Sequence, residues 1–173
     1  MSHPSERETQ ALACLPSLRR YARALLGSVA AADDLVQDTL EKAWSRLSSW
    51  HGGNNGNGDI RPWLFSIMHN LHVDQVRKPR LVTVSMEEAV PEIPDRPRQG
   101  DALALRDLDR ALRKLPDDYR EVLLLVALEE MSYAEAAEVL GCPPGTIMSR
   151  LSRARARLRA LLEEEHAALK VVR

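Results

Sequence analysis

The sequence predicts an all-α protein, built as two small helical domains that an extended, proline-rich linker joins. Hydrophobic residues make up 45% of the chain but aromatic residues only 4%, so the core depends on Leu, Ala and Val. Leu and Ala are strong helix formers, whereas aromatic residues favour strands. Residues 79–101 hold four of the ten prolines and are too long for a loop inside a compact domain. We therefore expect domains at 1–79 and 102–173, with a flexible linker at 80–101.

The first domain is expected to contain three helices. Apolar residues recur at helical spacing in three segments, which are approximately Glu8–Leu26, Ala31–Ser49 and Arg61–Lys78. Pro62 suits the first turn of the third helix, where its missing N–H costs nothing. Between the second and third helices, His51–Asp59 consists almost entirely of Gly and Asn, which predicts a loop.

The second domain is expected to contain about four helices. Their approximate bounds are Ala102–Lys114, Asp117–Glu129, Ser132–Leu140 and a long helix from Pro144 or Gly145 toward Leu169. Ser132 is followed three residues later by Glu135, which is a capping-box pattern. Gly141 then ends the third of these helices.

The last helix is unusually basic for a chain whose formal net charge is −1. Gly145–Leu162 carries five arginines and no acidic residue. On a helix, one apolar stripe is expected to pack on neighbouring helices, formed by Ile147, Leu151, Ala154, Leu158, Leu161 and Leu162. A different face collects Thr146, Ser149, Arg150, Arg153 and Arg157. Arg155 and Arg159 lie on a third side with Ser152.

A short helix, a tight turn and a second helix with small polar and Arg residues in its first turns form the pattern of a helix-turn-helix. Arginine suits a DNA-reading role because its guanidinium can bind a phosphate or a guanine edge through two hydrogen bonds. The alternative is a solvated basic face on an ordinary helical hairpin. That alternative stays open above all for Arg155 and Arg159.

Other classes of function find little support. No apolar run approaches the roughly 18 residues that a membrane span needs, and the N-terminus lacks the apolar segment of a secretion signal. Cys14 and Cys142 make no disulfide framework, so we expect free thiols in a reducing cytoplasm. His69 and His72 have a spacing that could hold a metal, but nothing else converges there. We expect no metal, no cofactor and no enzymatic activity.

Three motifs together resemble the extracytoplasmic-function (ECF) class of bacterial RNA polymerase sigma factors. They are DDLVQDTLEKAW from Asp33, RPWLFSIMHNLHVDQVRK from Arg61 and the segment from Leu115 to Leu158. They occur in the family's order, and the resemblance runs from about Leu15 to Leu162. It implies a protein that binds core RNA polymerase and directs promoter-specific transcription initiation.

The resemblance also implies roles for particular residues. In the family, the motif from Asp33 docks on the large polymerase subunit, through positions that match Asp34, Gln37, Asp38 and Glu41. The second motif contacts the −10 element, for which the candidates are Asn70, Asp74, Arg77 and Lys78. The loop before it departs from the family pattern in length and Gly/Asn content, so only Trp50 is kept there as a candidate. The −35 duplex is expected to meet Thr146, Ser149, Arg150, Arg153 and Arg157.

The partners implied are core RNA polymerase, promoter DNA as a −35 duplex and a −10 single strand, and an anti-sigma factor. No membrane insertion of the chain itself is expected. One alternative function is a stand-alone helix-turn-helix regulator, which needs a dimerisation surface and usually an effector domain. Another is a helical protein that sequesters a regulator. A net charge of −1 favours a subunit that borrows affinity from a large partner, because free-standing DNA binders are usually basic.

Overall fold

The computed structural model describes residues 5–52, 58–77 and 99–171, with side chains for all of these except 99–102 and 165–171. These residues form eight α-helices, so the predicted all-helical class is confirmed. None of the described helices is both long and apolar enough to cross a membrane. Residues 78–98 lie outside the described ranges, and the linker predicted at 80–101 therefore remains a prediction for all but its last three residues.

The first helical block contains four helices rather than three. Their bounds are α1 Glu6–Ala13, α2 Leu15–Leu26, α3 Val29–Arg46 and α4 Ile60–Arg77. The single helix expected over Glu8–Leu26 is wrong, because the chain breaks at Cys14 and α2 starts again with Pro16 in its first turn. Proline lacks a backbone donor and clashes with the preceding turn, so it begins helices more readily than it continues them.

The core of the first block forms where α2, α3 and α4 meet. Tyr21 and Phe65 pack edge to face, with ring centroids 5.2 Å apart, and both are almost fully buried. Along α3 and into the turn that follows it, residues at helical spacing form an apolar stripe, in which Val36, Ala43 and Leu47 are buried and Leu40 is partly buried. This packing turns the opposite face of α3 toward solvent.

The second block also contains four helices. Their bounds are α5 Gln99–Arg113, α6 Asp117–Leu123, α7 Tyr133–Leu140 and α8 Pro144–Val171. The α5 helix begins three residues before the predicted start at Ala102, inside the expected linker. The expected α-helix over Asp117–Glu129 is only half right, because α6 continues as a π-helical turn from Leu124 to Leu128.

The π-helical turn ends the α6 segment abruptly. The N–H of Glu129 donates to the carbonyl of Leu124, and the N–H of Met131 donates to that of Leu125. Glu130 then has a φ of 54°, a left-handed conformation that few residues other than Gly, Asn and Asp adopt. Single π turns widen a helix and rotate the residues that follow. Here the turn places Glu129 in the interior of the protein.

Arg120 donates hydrogen bonds to backbone carbonyls at the C-terminal ends of two helices, α5 and α2. Its guanidinium donates to the carbonyls of Leu112 and Arg113 at 2.8 Å and of Leu115 at 2.9 Å. These carbonyls belong to the last turn of α5 and the chain just beyond it, where intrahelical partners run out. A further bond, 3.2 Å long, reaches the carbonyl of Leu25 near the end of α2. One side chain thus joins the second block to the first.

The two blocks meet at one interface, called the seam below, which has two parts. The α4 helix packs against α7, and α2 packs against the π-helical turn. These contacts place the two blocks side by side.

Candidate nucleic-acid and partner interface

The α7 and α8 helices form the predicted helix-turn-helix. Ser132 caps α7, since its hydroxyl accepts from the N–H of Glu135 at 3.2 Å and the N–H of Ser132 donates to Glu135 Oε2 at 2.7 Å. The capping box expected from the sequence is therefore confirmed. Gly141 ends the helix with a φ of 61°, as expected of a left-handed cap. Local sequence alone fixes where α7 begins and ends.

The cap predicts a measurable loss of stability. Ser132→Ala removes the acceptor for the Glu135 N–H, which should lower the free energy of unfolding by about 0.5–2 kcal/mol. The hydrogen bond from Ser132 also holds the pKa of Glu135 below its usual value. The stability that this hydrogen bond adds is therefore present above the ordinary carboxyl pKa, and it is lost as the pH falls through the lowered pKa of Glu135. Urea unfolding of the variant at neutral and acidic pH measures both effects.

The matched control is Ser152→Ala, at an exposed position within α8. Alanine is the better helix former there, so this substitution should leave the stability unchanged or raise it slightly. Equal losses in the two variants would contradict a capping role for Ser132.

The α8 helix is anchored by its apolar stripe and presents its basic face outward. Within the stripe Ile147, Leu151, Ala154 and Leu161 are buried, and the other two members, Leu158 and Leu162, are partly buried. Ser149, Arg153 and Arg157 are exposed, whereas Thr146 and Arg150 are half-buried. The predicted −35 residues thus share one accessible side of the helix.

Two details of α8 were not foreseen. Arg150 Nε lies 3.8 Å from Asp118 Oδ2 of α6, an ion pair too long to be a hydrogen bond. Met148 is 57% exposed among the first turns, although its residue type suggests a core position. By helical spacing Met148 lies on the side of α8 that carries Ser152, Arg155 and Arg159, and not on the face of the predicted −35 residues.

The predicted polymerase-binding residues on α3 lie together at the surface. Asp34, Gln37, Asp38 and Glu41 are all exposed. The side-chain amide of Gln37 donates to Glu41 Oε1 at 3.0 Å, and this bond holds the two side chains together. Trp44, one turn further along, is 40% exposed. The face therefore combines acidic groups with a large aromatic ring, a composition suited to a protein partner with a basic surface.

The predicted −10 residues on α4 are accessible as far as the structure describes them. Asn70, Asp74 and Arg77 are exposed along the last turns of the helix. Lys78 lies outside the described residues. His72 of the same helix is buried, and this burial lowers its pKa below the usual value.

Trp50 is largely covered by the fold, unlike the other −10 candidates that the structure describes. It is 8% exposed, its ring lies 6.1 Å from that of Trp63, and the Arg7 guanidinium sits 5.8 Å from its centroid. Within the described residues its indole Nε1 has no hydrogen-bond partner. Residues 53–57 lie outside the described ranges. Trp50 remains a candidate, as a wall of this region rather than an open stacking platform.

Glu129 is a buried charged residue held by several partners, and no sequence signal singled it out. Its side chain is 0% exposed and receives two arginines from the first block. Arg20 of α2 donates through Nε to Oε1 at 3.0 Å and through Nη2 to Oε2 at 2.8 Å. Arg61 of α4 donates through Nη2 to Oε2 at 2.9 Å and to the backbone carbonyl of Glu129 at 2.6 Å. A buried carboxylate is thereby neutralised across the seam.

A second polar contact crosses the same seam. His69 Nδ1 of α4 lies 2.7 Å from Glu121 Oε1 of α6, and both side chains are largely buried. His69 was considered above as one half of a metal site with His72. Among the described residues no group of three or more His, Cys, Asp or Glu side chains gathers around a possible metal.

Comparisons with known proteins assign both blocks. The family model described as "Sigma-70, region 4" matches residues 105–158, and "Sigma2 domain of PhyR" matches residues 12–69. The ECF RNA polymerase sigma factor EcfG of Rhodopseudomonas palustris is 41% identical over 152 residues, which cover 87% of this chain and 82% of EcfG. Both blocks thus resemble the regions of one class of protein, in the same order.

Two solved structures extend the likeness to the fold. One is the sigma factor RpoE in complex with the anti-sigma factor NepR from Bartonella quintana, at 40% identity and a TM-score of 0.72, covering 90% of this chain and 95% of that one. The other is CnrH in complex with the cytosolic domain of CnrY, at 30% identity and a TM-score of 0.67, covering 91% and 88%.

An all-helical chain with a region 2 block and a region 4 helix-turn-helix block is a sigma factor in its organisation. This chain belongs to the ECF family of RNA polymerase sigma factors. It directs transcription initiation with RNA polymerase and is a non-catalytic subunit.

Proposed function

We propose that the chain divides this function between three surfaces. The acidic face of α3 binds core polymerase, the exposed end of α4 holds the −10 strand, and the basic face of α8 reads the −35 duplex. The observation that carries the proposal is the position of the α8 arginines. Arg153 and Arg157 project from the exposed side of a helix whose opposite side is locked into the core.

The −10 contact uses both kinds of chemistry that a single strand offers. Asn70 can pair with the edge of an unstacked base, and Arg77 carries a charge that can hold a phosphate. Lys78 extends the same charge along the chain. Trp50 belongs to this surface as a largely buried ring, which would have to become more exposed for a base to stack on it.

We further propose that the chain is controlled by an anti-sigma factor in the cytoplasm, where its polymerase is. The support is the likeness to RpoE and CnrH, whose structures are complexes with NepR and with the cytosolic domain of CnrY. A partner that covers the acidic face of α3 would block polymerase binding. The domains are proposed to be 1–79 and 99–173, because α5 begins at Gln99 rather than Ala102, and the residues between them are proposed as the linker that lets them separate.

Run-off transcription tests the proposal directly. Core polymerase is supplied with and without this chain, on a template that carries the region upstream of the chain's own gene. We expect a discrete run-off product only when the chain is present. A product of equal yield with core polymerase alone, or none with the chain across a library of promoter fragments, would reject the assignment.

A further inference from the structure

We propose that the contact of Glu129 with Arg20 and Arg61 is a latch that holds the chain in a closed, inactive conformation, and that it opens before promoter DNA is bound. The inference rests on the proposed function, because the inhibition follows from how far apart the two promoter elements lie. The latch is defined by these three side chains, two from the first block and one from the second.

The latch joins the blocks through charge rather than through apolar packing alone. Glu129 presents both carboxylate oxygens and its backbone carbonyl to the two arginines. The Arg20 pair is forked, with Nε and Nη2 on separate carboxylate oxygens, whereas Arg61 donates through Nη2 alone. Such charge-assisted bonds are short, directional and about twice as strong as neutral hydrogen bonds. The π-helical turn and the left-handed Glu130 fix the direction in which Glu129 points. The closed arrangement is therefore specified by geometry and not only by burial.

The closed state depends on both arginines, because the Glu129 carboxylate is buried. Within the seam Glu129 is fully covered, and an uncompensated charge there is strongly unfavourable. When the blocks separate, water solvates the same carboxylate and removes that cost. Loss of an arginine therefore destabilises the closed state far more than the open one. This asymmetry is what allows the contact to act as a latch.

Promoter geometry requires the open state. The −10 and −35 elements lie about 25 base pairs apart, which is about 85 Å of duplex at 3.4 Å per base pair. A compact chain of this length has a radius of gyration of about 16 Å and is thus about 40 Å across. Residues 78–98 can span at most about 70 Å when extended, so the covalent chain allows the blocks to part. The closed chain cannot reach both elements, whereas the open one can.

Two weaker contacts across the seam also hold the blocks together. His69 faces Glu121, and the Arg120 guanidinium donates to the carbonyl of Leu25. Both would be exchanged for water on opening, at little cost to either block. Because His69 precedes Asn70 on α4, the seam also covers one side of the helix proposed to hold the −10 strand.

Small-angle X-ray scattering of the full chain, paired with core-polymerase binding, tests the latch. Glu129→Gln keeps the size of the side chain and removes its charge, while Arg20→Ala removes one arm at a side chain that is 52% exposed. We expect each to raise the radius of gyration at least about 1.3-fold over that of the wild type. Apparent affinity for core polymerase should rise about tenfold, because the competent open fraction rises. Matched controls are Arg19→Ala on the same helix and Glu164→Gln, which removes a carboxylate charge at an exposed position of α8.

The outcomes separate the latch from the function on which it rests. Variants as compact as the wild type would overturn the latch even if every one of them supports transcription. Variants that open while no form of the chain binds core polymerase would uphold the latch and reject the proposed function. If Glu129→Gln loses its helical circular dichroism, Arg20→Ala decides the question, since its exposed position does not hold the core. Opening in the two controls as well would also overturn the latch.

Discussion

Reversing Asp38 and Glu41 to lysine should weaken binding to core RNA polymerase by about 100-fold or more and abolish promoter-directed transcription. Close charge pairs across interfaces carry coupling energies of about 1.5 kcal/mol at the low end, and each 1.4 kcal/mol is tenfold in affinity. Both side chains are exposed, and in the described part of the chain neither forms an ion pair. The reversal should therefore leave the helical circular dichroism unchanged. Titration of labelled core polymerase measures the loss.

The control is a reversal of equal charge elsewhere on the surface. Glu163 and Glu164 are exposed on the late part of α8, away from α3 in sequence and in function. Changing both to lysine shifts the net charge by the same amount and should affect core binding by less than about threefold. Undiminished binding of the Asp38→Lys/Glu41→Lys variant would remove the acidic face from the polymerase interface.

Local features of the sequence were sufficient for most of the helices. Ser132 with Glu135, and Gly141 behind them, act within one turn of the chain, so their effect does not depend on the rest of the fold. The apolar stripe of α8 is equally local, because a period of 3.6 residues is visible in the sequence itself. These elements were predicted with nearly the observed bounds.

The features that failed are those with no local signature. The run LLLVAL at Leu123–Leu128 is apolar at every position, so its periodicity cannot distinguish an α-helix from a π-helical turn. Glu129 follows that run and resembles an ordinary solvated acid beside Glu130. Its partners, Arg20 and Arg61, lie 109 and 68 residues away along the chain. Only the folded arrangement brings the three together.

The candidate site can be divided in the same way, into what the local sequence predicts and what it does not. The exposure of Asp34, Gln37, Asp38 and Glu41 could be predicted, because the opposite face of α3 carries the apolar stripe. What the exposed residues bind could not be obtained from periodicity and came from the resemblance to the ECF sigma factors. Trp50 shows the limit of both approaches, since it follows a helix, precedes a Gly/Asn-rich loop and is largely buried.

Arg150→Ala and Arg153→Ala should change which −35 bases the protein prefers, whereas Arg157→Ala should not. The first two lie in the opening turns of α8, where a helix in the major groove places its base-reading residues. Loss of a bidentate base contact costs about 1–3 kcal/mol at one position of the site. Arg157 lies a turn further on, and loss of its phosphate contact should weaken all sequences alike and reduce the salt slope by about one unit.

The measurement is binding, or transcription, over a set of single-base −35 variants at two salt concentrations. Arg153 is exposed and should show the clearer change in preference, because Arg150 must first exchange its ion pair with Asp118 for a base edge. Asp118→Ala provides the matched test, since it releases Arg150 without altering α8 and should tighten binding while keeping the preferred bases. If Arg150→Ala and Arg153→Ala both behave like Arg157→Ala, with uniform weakening and no change in preference, the base-reading role is wrong. The basic face of α8 would then grip the phosphate backbone, and the promoter sequence would have to be read elsewhere.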